Sequence, residues 1–104
     1  MREAGLWIKD QTQLGDTILT SSVPQNTYYS ERPSYNYVGQ ENDFVAQLAS
    51  LKPRFMILSL FEQSPLWAYD WPRRNGDKVS PVKVWPNTDN PNQPGLIIYS
   101  FKNR

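Results

Sequence analysis

The apolar positions of this chain are densest over residues 54–61, Arg54-Phe55-Met56-Ile57-Leu58-Ser59-Leu60-Phe61, where seven of eight positions are apolar or small and both alternating faces are apolar. Pro53 precedes the run and Ser64-Pro65 follows it closely, which leaves room for a strand and not for an ordinary helix. A strand apolar on both faces needs cover on both. The pattern therefore predicts a sheet with helices packed against it.

Upstream, Ala4, Trp7 and Ile8 recur at helical spacing and predict a helix over residues 3–11. Residues 17–21, β-branched and bounded by Gly15 and Pro24, predict a strand. Phe44, Val45, Leu48 and Leu51 form the apolar stripe of a second helix, with Asn42 or Glu41 as its cap and Lys52-Pro53 as its stop. A strand, a helix and the 54–61 strand suit a right-handed crossover, which makes the two strands parallel neighbours that end at one edge of the sheet. Between them, Pro24-Gln25-Asn26 and Arg32-Pro33-Ser34 read as turns, Tyr28-Tyr29-Ser30 as a brief strand and Tyr35 to Val38 as a further edge. The shared carboxyl edge then collects two loops, 21–32 and 62–72. In open α/β sheets that edge is where ligands usually bind.

Downstream, Asn75-Gly76 suits a turn with positive φ. Residues 79–85 alternate with Pro81 near their start, as in an edge strand, and residues 95–101 form a strong strand that pairs with them antiparallel through the polar loop 86–94. The expected fold is α/β: a small layered domain with a mixed sheet of about five strands, two or more helices and a C-terminal antiparallel hairpin. No repeat or linker divides residues 1–104, which read as one domain.

Composition narrows the chemistry. With no cysteine there is neither a disulfide framework nor a thiolate metal site, and with no histidine the commonest general base and metal ligand are gone. A Ser-His-acid hydrolase is excluded, and no glycine-rich phosphate loop occurs. No metal or cofactor is expected. Eleven basic residues against ten acidic give a net charge of +1 with the signs interspersed, a poor basis for nucleic-acid binding. No apolar run approaches the roughly 20 residues that cross a bilayer, and Met1 to Gly5 lack the apolar core of a signal peptide, so the expectation is a soluble piece.

Two groups carry candidate binding chemistry. Glu62 and Asp70 flank Trp67 and Tyr69, the composition of a glycosidase site, in which two carboxylates straddle a sugar and aromatic rings stack on it. Solvated loop carboxylates or local ion pairs are the plainer reading. Tyr28, Tyr29, Glu31 and Arg32 form the second group, in which the guanidinium fork suits a polar or anionic ligand; an internal salt bridge that anchors the loop accounts for it equally well. Trp67, Trp71 and Trp85 suit a carbohydrate platform or a docking patch, or simple packing of tryptophan on proline.

The order Gly5-Leu6-Trp7-Ile8-Lys9, an Ile-Leu strand, Pro24, Tyr28-Tyr29-Ser30-Glu31-Arg32, Lys52-Pro53-Arg54-Phe55, Ser59-Leu60-Phe61-Glu62-Gln63, Pro65-Leu66-Trp67-Ala68-Tyr69 and Leu96-Ile97-Ile98-Tyr99-Ser100-Phe101 resembles the soluble tail of polytopic membrane glycosyltransferases similar to dolichyl-phosphate-mannose protein mannosyltransferases. The resemblance implies a parent that takes a sugar from a polyprenyl-phosphate donor on the extracytoplasmic face of the cell membrane. The catalytic carboxylate of such enzymes lies between membrane spans, so no catalytic residue is carried onto this chain. What it implies here is an accessory domain whose partners are the membrane portion of the same protein and a glycan or protein acceptor. The alternatives are a free-standing carbohydrate-binding or protein-interaction module, and a small hydrolase using Glu62 and Asp70.

Overall fold

The computed structural model describes residues 2–59, 64–87, 89 and 94–102. Helix α1 (Arg2–Gln11) leads into strand β1 (Ile18–Leu19), helix α2 (Val23–Ser30) and strand β2 (Ser34–Tyr35). A 3₁₀ turn (Glu41–Asp43) opens helix α3 (Phe44–Leu51), followed by strand β3 (Phe55–Ser59), helix α4 (Leu66–Arg74) and the strands β4 (Val79–Pro86) and β5 (Pro94–Phe101). The strands form one mixed sheet in the order β2-β1-β3-β5-β4. As the crossover argument requires, β1 and β3 are parallel neighbours, with Ile18 opposite Phe55 and Leu19 opposite Met56. β5 runs antiparallel to both β3 and β4 and closes the hairpin.

All five residues of β3 are buried, and the alternation of its side chains divides the core in two. Phe55 and Ile57 pack with Ala4 and Ile8 of α1 and with Ile18, Leu96 and Ile98 on one face. Met56 and Leu58 pack on the other with Leu19 of β1 and with Tyr37, Phe44, Ala68 and Trp71, supplied by α3, α4 and the segment before α3. Right-handed crossovers from β1 out to β2, and from β2 back across β1 to β3, put α2 and α3 on opposite faces. Phe44 is the hub of the second core, with ring centroids 4.7 Å from Trp67 and 5.0 Å from Trp71.

Four local expectations are corrected. Tyr28 to Ser30 are helical, because Ser22-Val23-Pro24 starts a helix: Pro24 sits in the first turn, where its missing N–H costs nothing. Residues 66–72 belong to α4 and not to a loop. Ala68, Trp71 and Pro72 fall on one buried face of that helix, and their burial outweighs the bond that Pro72 cannot donate. Neither Asn75 nor Gly76 has positive φ; among the described residues the left-handed ones are Glu31 and Lys52, which end α2 and α3. No side chain caps α3, whose first turn is the 3₁₀ segment, and Val45 of its predicted stripe faces outward. No described helix is long and apolar enough to cross a membrane.

Candidate functional site

The carboxyl ends of β1 and β3 meet, as expected, at the point where the chain first crosses outward to β2 and then back to β3. Ser21 and Ser64 bridge it, their hydroxyls 2.6 Å apart. Beside them the Tyr69 hydroxyl donates to the carbonyl oxygen of Ser59 (3.1 Å) and accepts from the backbone N–H of Ser64 (3.3 Å). Trp67 Nε1 donates to the carbonyl oxygen of Gly39 (3.2 Å), and its ring stands edge-on to Tyr37. Tyr37, buried, donates its hydroxyl to the carbonyl oxygen of Ile57 at 2.6 Å. Burial pushes that phenol well above its ordinary pKa.

The second group does not join this edge. Helix α2, which starts at Val23 next to this edge, carries the chain about 12 Å toward the opposite end of the sheet, where Tyr28 to Arg32 lie. There Arg32, only 8 % exposed, caps the C-terminus of α1. Its Nε donates to Thr12 Oγ1 (2.9 Å), its Nη2 to the carbonyl oxygens of Thr12 (3.1 Å) and Lys9 (3.4 Å), and its Nη1 to the carbonyl of Glu31 (3.1 Å). Thr12 Oγ1 in turn donates to the carbonyl of Ile8 (2.6 Å). A cation and a hydroxyl thus occupy carbonyls that a helix end leaves open, at the end where the dipole favours positive charge. Glu31 pairs with Lys9, which holds its carboxyl below the usual range. Tyr29 packs against Gly5, and Tyr28 is 77 % exposed.

Of the two carboxylates, Glu62 lies outside the described residues. Asp70 accepts from Arg74 Nε (2.7 Å), and the same guanidinium grips Glu41 with Nη1 (2.9 Å) and Nη2 (2.8 Å). Arg74 thereby ties α4 to the turn before α3 and lowers the Glu41 pKa. Among the described residues no group of three acidic side chains is placed to hold a metal ion.

No family model, curated protein or solved structure matches the chain. What the arrangement can do is therefore read from its own cavities. One of about 730 Å³ lies between α4 and the β3-β5-β4 side of the sheet, lined by Ser59, Tyr69, Arg73 and Tyr99 above Leu58 and Val79. Burial raises the Tyr99 pKa there, and the nearby Arg73 charge opposes the rise. A second, of about 390 Å³, opens at the other end of the sheet between α3 and α4. Sequence reasoning passed over both. Their linings are gathered from separate segments between Leu58 and Tyr99 in the first and between Leu48 and Phe101 in the second, which no local pattern brings together.

Proposed function

We propose that this chain is an accessory domain of a membrane glycosyltransferase, which presents an acceptor or packs on the membrane part while the catalytic groups lie elsewhere in the parent. The reading starts from the ordered resemblance across residues 5–101. One observation carries it further: four polar side chains of the resembling segments, Glu31, Arg32, Trp67 and Tyr69, are engaged in holding one element of the domain to another. A segment whose polar groups serve the fold supports a role in recognition or packing more than one in bond making.

The test begins with the reading frame that precedes this sequence in its source genome. Several segments of about 20 apolar residues are expected there. The full-length product in membranes should transfer a sugar from a polyprenyl-phosphate donor, lose that activity when residues 1–104 are deleted, and keep it when Glu62→Gln and Asp70→Asn are combined. A frame without spanning segments overturns the proposal. So does glycan hydrolysis by the isolated chain that the double substitution abolishes, which would move the chemistry onto these residues.

A further inference from the structure

The 390 Å³ slot lies at the amino-terminal end of the parallel strands, away from the edge that the sequence nominates. Its walls are apolar: Leu48 of α3, Pro53, Trp71 of α4 and Phe101 of β5, with the Trp71 and Phe101 rings 6.2 Å apart. Lys52 and Lys78 flank it, both exposed and neither with a side-chain partner among the described residues. Trp71 is only 5 % exposed and lines the slot, and no hydrogen bond joins its indole N–H to another described residue. Every polar side chain in the lining is therefore a donor: two ammonium groups and one indole.

The surroundings reinforce the sign. Phe101 N–H donates to the carbonyl of Arg54 (3.1 Å) and Lys102 N–H to the carbonyl of Lys78 (2.9 Å), so Arg54, Lys78 and Lys102 sit together at the ends of β3, β4 and β5. Asp77 is the carboxylate next to Lys78 in the chain, and it does not line the slot. The larger cavity lacks this bias, because it mixes hydroxyls that accept as well as donate with the single cation Arg73.

An apolar slot whose polar side chains are two ammonium groups and an indole complements a ligand with an apolar body and an acceptor-rich, negatively charged end. We propose that the slot between α3 and α4 binds a small single-chain amphiphile, its alkyl chain against Leu48, Trp71 and Phe101 and its carboxylate or phosphate head between Lys52 and Lys78. This assignment does not rest on the accessory-domain reading.

The test follows the four indole N–H resonances of the ¹⁵N-labelled chain during titration with decanoate and with decyl phosphate, both below their micelle concentrations. The Trp71 signal, assigned through its contacts to Phe101, should move and saturate with at least one of them, and the tighter of the two identifies the head group. Lys52→Gln and Lys78→Gln should each weaken binding about fivefold, and together about 25-fold, with unchanged spectral dispersion. Decanol and inorganic phosphate should bind at least about tenfold more weakly, since each supplies half of the complement. A Trp71 signal that moves with neither anion overturns the proposal. Equal affinity for decanol, or for the double lysine variant, does so as well, because the slot would then be an apolar surface without selectivity.

Discussion

A Cβ built on Gly5 would lie 2.5 Å from the Cβ of Tyr29 and 3.3 Å from the backbone nitrogen of Ser30, so α1 and α2 touch at a separation that only glycine allows. The obstacle is a Cβ and a backbone atom, neither of which can rotate away. Gly5→Ala gains up to about 1 kcal/mol of helix propensity but forces the helices apart at about 1–3 kcal/mol. A net loss of about 1 kcal/mol in urea unfolding is expected. Tyr29→Ala keeps the offending Cβ and should not rescue it, whereas Tyr29→Gly in the same background should in part. A Gly5→Ala protein more stable than the parent would show that the helices have room to move.

Arg32 should matter more to stability than any other member of the Tyr28 to Arg32 group, since it is buried and donates to three backbone carbonyls and the Thr12 hydroxyl. Arg32→Ala leaves the α1 terminus without those donors and is expected to cost about 2–3 kcal/mol. Arg32→Lys should recover little, because an ammonium cannot span the fork from Thr12 to Lys9. Tyr28→Ala, at a side chain 77 % exposed, should be nearly neutral. Denaturant midpoints of the three variants decide the ranking.

The sequence pattern led to the sheet because β3 is apolar on both faces and the 3.6-residue stripe of α1 is clean. The parallel pairing of β1 with β3 and the β4-β5 hairpin followed from connection lengths and proline placement. Two helices depart from the sequence pattern for one reason. Proline reads as loop chemistry in both places, although Pro24 opens a helix and Pro72 sits in one whose buried face, Ala68 and Trp71, recurs at helical spacing. That difference moves the candidate site: a loop would have left Tyr28 to Arg32 beside Trp67 and Tyr69, whereas a helix carries them away. Arg32's role as a cap was not readable locally, since Thr12 and Lys9 stand 20 and 23 residues from it.

Arg74 joins two carboxylates at the surface, so its contribution should be small and sensitive to salt. The carboxyl of Glu41 is held below its usual range by the Arg74 hydrogen bond. A depressed carboxyl contributes stability above its unfolded pKa and loses it as pH falls through the folded value. The difference between the parent and Arg74→Ala should therefore be present at neutral pH and low salt, shrink in about 1 M salt, where the screening length is near 3 Å, and close as pH falls below the ordinary glutamate range. A difference indifferent to both would mean that the Arg74 alkyl chain, and not its charge, is what ties α4 to the turn before α3.

Lys52 ends α3 with φ 46° and ψ 58°, a left-handed conformation that suits glycine better than lysine. Its N–H donates to the carbonyl of Leu48 (2.9 Å), so the conformation is part of the helix stop. Lys52→Gly should keep that bond, relieve the Cβ crowding and stabilise the fold by about 0.5–1 kcal/mol. The same change removes one cation from the rim of the slot. It should raise the thermal midpoint while weakening decanoate or decyl phosphate, a pairing of effects that a merely unfolded variant could not give.

Tyr37 links β3 to the segment that follows β2, through its 2.6 Å bond to the carbonyl of Ile57, and burial keeps it neutral far into the alkaline range. The unfolded phenol loses its proton near pH 10, while the folded one holds it to higher pH. The stability this group contributes is therefore complete below about pH 10 and is lost as pH rises toward the folded value, because the unfolded state then binds fewer protons. Tyr37→Phe should cost about 1 kcal/mol at neutral pH through the lost hydrogen bond and should fall less steeply above pH 10. The two stability curves should converge in alkali. The variant keeps a residual slope, since burial also raises Tyr99. Urea unfolding across the neutral to alkaline range checks this, and parallel curves would mean that the Tyr37 hydroxyl reaches solvent in the folded chain.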